Sequence, residues 1–112
     1  MVSQAVQKFY RASPKKLSVV LELIRGTGVE NAFMILSSVR KRSAPDIAKL
    51  LKSAVANAAE KGHSDTESLY IKEVYSVKGP TLKRIRARAQ GRASARKKRM
   101  SHITIVLEER GL

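Results

Sequence analysis

Residues 78–99 read KGPTLKRIRARAQGRASARKKR, twenty-two positions with ten Lys or Arg and no Asp or Glu. A stretch like this cannot enter a hydrophobic core, because a buried, unpaired charge costs more than any core contact returns. The fold must therefore be built from the sequence on either side, with this stretch held outside it. The chain has a net charge of +14, and this one segment supplies +10. The other ninety residues carry 13 basic and 9 acidic groups and are only +4. A block of one sign repels itself unless a polyanion lies against it. Nucleic acid is the obvious polyanion.

At 112 residues the chain is expected to form one domain, residues 1–112, with the basic segment as an extension within it. Apolar residues make up 43% of the sequence and aromatic residues only 4%, so the core is expected to be aliphatic. Cysteine is absent, which excludes disulfides, thiolate metal sites and cysteine nucleophiles. The apolar runs fall short of the roughly 20 residues of a membrane span. The N-terminus lacks the basic start and apolar run of a secretory signal. The expected location is cytoplasmic, or an organelle matrix after processing, with no membrane partner.

Val2, Val6, Phe9 and Tyr10, with polar residues between them, suit a first strand. Ser13 and Pro14 read as an N-cap and a first helical residue, and Leu17, Val20, Leu21 and Ile24 form one helical face. Gly26 ends that helix. Thr27 and Glu30 read as a capping box for a second helix with Val29, Ala32, Phe33, Leu36 and Val39 inward. Arg40, Lys41 and Arg42 would close it, either as dipole compensation or as a second basic patch. Ser43 and Asp46 read as a capping-box-like start to a third helix, with Pro45 in its first turn, Ile47, Leu50, Leu51, Ala54, Val55 and Ala58 as its stripe and Gly62 as its stop. Its run of small residues invites close approach by another element. Leu69, Ile71, Tyr75 and Val77 alternate as a strand, as do Ile103, Ile105 and Leu107. Pairing these two strands makes the basic segment their connection. Hairpin loops are usually short, so a connection of this length is expected to be functional.

Within the extension, Arg84, Arg86 and Arg88 alternate with Ile85, Ala87 and Ala89, and Arg92, Arg96 and Lys98 recur at even spacing. Extended arms would place these on one face, with Gly91 at the tip. Two arms of about ten residues would reach roughly 30 Å at ~3.3 Å per residue. The alternative is an Arg-rich helix, since Ala, Arg, Lys and Leu favour helix; Gly91 in the middle opposes it. Arginine forks suit phosphate oxygens.

Other candidates are weaker. His63 and His102 have no carboxylate cluster near them in sequence, so they read as surface or structural residues, without a metal or catalytic role. Lys15 and Lys16 oppose the helix dipole at their position and are either ordinary surface lysines or phosphate contacts. No phosphate-cradling glycine loop is present. Phe9, Phe33, Tyr70 and Tyr75 read as core or sheet residues, leaving no stacking platform, so recognition is expected to rest on backbone and shape. A free nucleic-acid-compacting factor fits the composition as well. A small nuclease fits poorly, for want of catalytic groups.

Taken together, RASPKK at 11–16, IRG at 24–26, SAVANA at 53–58, GP at 79–80, KR at 83–84, RAQGRA at 88–93 and KRMSHITI at 98–105 resemble the bacterial-type large-subunit ribosomal protein twenty-two family over the full length. The resemblance implies an α+β fold: a small three-stranded antiparallel sheet on three helices, with a long basic β-hairpin. It implies a structural constituent of the large ribosomal subunit, not an enzyme and without cofactor or metal. Its implied roles are to bind large-subunit ribosomal RNA, to aid assembly, and to line the nascent-peptide exit tunnel with its hairpin tip. Its implied partners are that RNA, neighbouring ribosomal proteins and the nascent polypeptide. The tip maps to Arg88, Ala89, Gln90, Gly91, Arg92 and Ala93. RNA contacts map to Lys78, Lys83, Arg84, Arg86, Arg88, Arg92, Arg96, Lys97, Lys98 and Arg99 on the hairpin, and to Ser13, Lys15 and Lys16 on the first helix. The chain departs from the family pattern at Ala87, where a proline is common.

Overall fold

The computed structural model describes residues 2–63, 65–79, 82–87, 93–98 and 100–109, with 82–87 and 93–98 described as backbone. Strand β1 (Ser3–Tyr10) leads into helices α1 (Pro14–Ile24), α2 (Val29–Ser38) and α3 (Ala44–Glu60). Strand β2 (Leu69–Lys78) follows, then β3 (Leu82–Ala87), β4 (Ala93–Lys98) and β5 (Ser101–Glu109). Strands β1, β5 and β2 form an antiparallel sheet with β5 in the centre, and β3 pairs with β4 in a separate two-stranded ribbon. This is the expected α+β architecture. β2 and β5 pair as anticipated, with the basic segment between them.

The core lies between the sheet and the helices. The predicted stripes of α1 and α3 are its helical side: Leu17, Val20, Leu21, Ile24, Ile47, Leu50, Leu51, Ala54 and Ala58 are buried, with Val55 packed at the margin. The sheet contributes Ala5, Leu69, Ile71, Val74, Ile103, Ile105 and Leu107. Helix α3 uses its small residues where β1 crosses it. The Ser3 hydroxyl, fully buried, donates to the Ala54 carbonyl at 2.8 Å, and the Asn57 amide donates to the Gln4 carbonyl at 3.0 Å. A larger residue at 54 would push the strand off this contact.

Three local expectations are corrected. The second helix is capped by Gly28, not by a Thr27–Glu30 box. The Thr27 hydroxyl instead donates back to the Ile24 carbonyl at 2.7 Å, and Glu30 accepts from Thr66. Gly26 takes φ +78°, and its N–H donates to the Ile71 carbonyl while the Ile71 N–H donates to Thr27. This chain reversal is thus stitched to the edge of β2, and the edge fixes the helix start. Ser43 stands before α3 in a helical conformation and makes no side-chain cap; Asp46 is engaged by Tyr10 instead. Helix α2 ends at Ser38, so Arg40, Lys41 and Arg42 lie in the linker and do not compensate its dipole.

The strand phases also differ. A bulge between Ile71 and Glu73 shifts β2 by one residue. Val74 therefore turns inward, and Tyr75 and Val77 turn outward. One added residue reverses the faces of everything after it. β1 has a similar irregularity between Gln7 and Tyr10, with Phe9 at φ +58°. Among the described residues, no helix is long and apolar enough to cross a membrane.

Candidate nucleic-acid interface

The basic segment leaves the sheet between the last residues of β2 and the first of β5. Lys78, exposed, pairs with Ser101, and the Gly79 N–H donates to the Met100 carbonyl at 2.8 Å. A Cβ on Gly79 would sit 3.2 Å from that carbonyl oxygen and 3.4 Å from the His102 ring. A side chain here would require the Met100 carbonyl to give by a few tenths of an ångström.

Residues 82–87 and 93–98 are extended, as the alternation predicts and the helical alternative does not. Leu82 pairs with Lys98, Lys83 with Lys97, Arg84 with Arg96, Ile85 with Ala95, Arg86 with Ser94 and Ala87 with Ala93. Arg84, Arg86, Arg96 and Lys98 therefore share one face of the ribbon, by the two-residue strand period. Lys83 and Lys97 occupy directly opposed positions, as do Arg84 and Arg96. Like charges placed opposite one another destabilise a strand pair, and an isolated two-stranded ribbon is marginal in water. A register of this kind gains stability from any counter-charge laid beside it. Arg88, Ala89, Gln90, Gly91, Arg92 and Arg99 lie outside the described residues. The long axis of the molecule is 66 Å and its radius of gyration 17.3 Å, against roughly 13 Å for a compact domain of this length.

A second basic site forms on the body. The Ser13 side chain accepts from the Lys16 N–H at 3.4 Å, and the Ser101 hydroxyl donates to the Ala12 carbonyl at 2.7 Å. These bonds set the turn from β1 into α1. The Tyr10 hydroxyl donates to Asp46 at 2.5 Å, holding the end of β1 to the start of α3. Its phenol is pushed up to about 12, first by burial and then by the adjacent carboxylate. Between these elements opens a cleft of about 770 Å³ whose walls include Arg11, Ser13, Lys16, Lys41 and Arg42. The start of α1 adds its positive dipole end, which attracts anions. Ser13 and Lys16 thus stand in the cleft. Lys15 is exposed in the same first turn but is not part of its walls.

Arg11 was not singled out by sequence reasoning, and the basic linker was left between two readings. The cleft favours the basic-patch reading, since Lys41 and Arg42 line it together with Lys16. No local pattern signals that meeting; it follows from the packing of α3 beside β1. The histidines serve as structural contacts. His63 lies 3.3 Å from a Glu109 carboxylate oxygen, and His102 accepts from the Phe9 N–H at 3.1 Å. Among the described residues, no group of three His, Cys, Asp or Glu side chains could hold a metal.

Comparison with known proteins adds an independent finding. Residues 5–108 match the family model described as ribosomal protein L22p/L17e. The chain is 49% identical over 110 residues to the large ribosomal subunit protein uL22 of Syntrophus aciditrophicus, covering 98% of this chain and all of that protein. It is 50% identical to the protein of the same name from Clostridium novyi, covering 98% and 99% of the two chains. The Staphylococcus aureus protein of that name is also 50% identical, over 97% of this chain and 93% of its own length.

Proposed function

This chain belongs to the ribosomal protein L22p/L17e family and is a structural, non-enzymatic constituent of the large ribosomal subunit, and we propose that it binds large-subunit ribosomal RNA by threading its basic ribbon between RNA segments. The observation that carries this reading is the register of the ribbon, with Lys83 against Lys97 and Arg84 against Arg96. Such an element gains its shape from the anion it neutralises, and counterion release supplies the free energy. Lys78, Lys83, Arg84, Arg86, Arg96, Lys97, Lys98 and Arg99 are the arm contacts. Arg88 and Arg92, with Ala89, Gln90, Gly91 and Ala93, form the tip that lines the nascent-peptide exit tunnel in the cytoplasmic ribosome. Ser13, Lys15 and Lys16, joined by Arg11, Lys41 and Arg42, hold a further RNA segment against the body. Gripping RNA at two separated places is how the protein aids assembly: it fixes the distance between segments that are remote in RNA sequence. Neighbouring ribosomal proteins meet other parts of the body's surface.

The proposal sets a salt dependence. A protein making six to ten phosphate contacts loses about 10³- to 10⁵-fold in affinity between 50 and 200 mM salt. Binding of the full chain to large-subunit ribosomal RNA, measured across that range, should show this steep fall. An affinity that barely changes with salt would remove charge neutralisation as the mechanism.

A further inference from the structure

The helices all pack on one face of the three-stranded sheet, and on the other face the described residues place no covering element. That outer face is not polar. Val6 is 44% exposed, Phe9 56%, Tyr75 42% and Val77 47%. The register arranges them in two adjacent rows. Val6 and Tyr75 flank Thr104, and Val77 lies beside His102. Phe9 completes the second row, its ring edge-on to the His102 imidazole at 5.0 Å between centroids. The Phe9 backbone N–H donates to His102 Nδ1 at 3.1 Å, which orients the imidazole that the Phe9 ring meets.

Lys8 and Lys78 are exposed at the end where the ribbon leaves. Further along the sheet Glu73 pairs with Val106, and Glu108, which pairs with Tyr70, has the Lys72 amine 3.8 Å from its carboxylate. Strands β2 and β5 run from the patch directly into the polycationic ribbon. An RNA strand neutralised along the ribbon would therefore pass onto two exposed aromatic rings at its root. Every base has a π-face, so aromatic side chains on a sheet stack bases with little regard to sequence.

We propose that the outer sheet face is a base-stacking surface, on which Tyr75 and Phe9 each receive an unpaired RNA base next to the ribbon root. The proposal rests on the RNA-binding reading above and extends it from phosphates to bases. A purely apolar polypeptide is the less fitting occupant, because the cationic rim and the continuity with the ribbon would go unused. The two contributions separate by their response to salt. Phosphate contacts set the slope of affinity against salt concentration, whereas stacking releases no counterions.

The test uses the full chain and a fluorescent oligouridylate of about 16 nucleotides, the upper size of a single-strand site on one fold. Anisotropy gives the Kd at several salt concentrations for the wild type, Tyr75→Leu and Phe9→Leu. Leucine keeps the apolar volume and removes the ring. Tyr75→Leu is expected to weaken binding about tenfold at every salt concentration, within the roughly 5- to 150-fold span of one stacked base, and to leave the slope unchanged. Phe9→Leu should behave alike. Lys98→Gln should instead lower the slope by about one. Wild-type affinity in Tyr75→Leu and Phe9→Leu would overturn the stacking proposal, leave the ribbon reading standing, and point to a polypeptide on this face. A wild-type chain that fails to bind the oligonucleotide even at low salt would overturn both.

Discussion

Tyr10 shows how much one side chain can join. It lies at the end of β1, beside the cleft, and its hydroxyl reaches Asp46 in the first turn of α3. Partial burial, then the hydrogen bond to Asp46 and its charge, raise the phenol from the ordinary 10 to about 12, and Arg42 offsets this in part. The fold thus favours the neutral phenol. Its contribution to stability is complete below about pH 10 and is lost as pH rises through about 12. Tyr10→Phe should cost about 1 kcal/mol or less at neutral pH, the range of a single solvent-accessible hydrogen bond. It should also remove the late component of the alkaline tyrosine absorbance titration. A titration that keeps this late component in Tyr10→Phe would show that another phenol carries it. Sequence alone could not reveal the contact, because it joins residues 36 apart. It does mark Ser13 as a cap, because that bond spans only three residues.

At the scale of elements, legibility tracked the distance over which each signal acts. The apolar stripes of α1 and α3 are local periodicities, and both faces fell where the spacing puts them. Capping failed at Thr27 and Ser43 because a cap depends on backbone angles imposed from outside, by the edge of β2 in the first case. The outward turn of Tyr75 and Val77 had a readable cause: Ile71 and Val74, three apart with Lys72 and Glu73 between them, carry the spacing of a bulge. The ribbon was the most legible element, since its charge excludes it from the core and its alternation makes it extended. The described core is built by the three helices with β1, β2 and β5. Deleting residues 84–95 should therefore leave the far-ultraviolet circular dichroism of the helical body and its cooperative melting in place. Loss of the helical signal in that variant would show that body and ribbon fold as one unit.

The whole molecule is a small aliphatic body from which a polycationic ribbon extends, along a 66 Å axis. Its charge is divided in the same way, and each part accounts for the other. The body supplies the stability that a ribbon of opposed like charges lacks, and the ribbon supplies the reach that a 112-residue body lacks. In the proposed function the basic cleft, assembled from β1, α1 and the linker before α3, is a second grip on the body. It was only half legible in sequence, because nothing in Lys41 or Arg42 records that they will line one cleft with Lys16. A protein holding RNA at both places should be retained where a surface-bound factor is washed away. The direct measurement is the amount of this chain that sediments with large ribosomal subunits after a high-salt wash. One copy per subunit is the predicted result; release into the supernatant would contradict the account of an integral subunit protein.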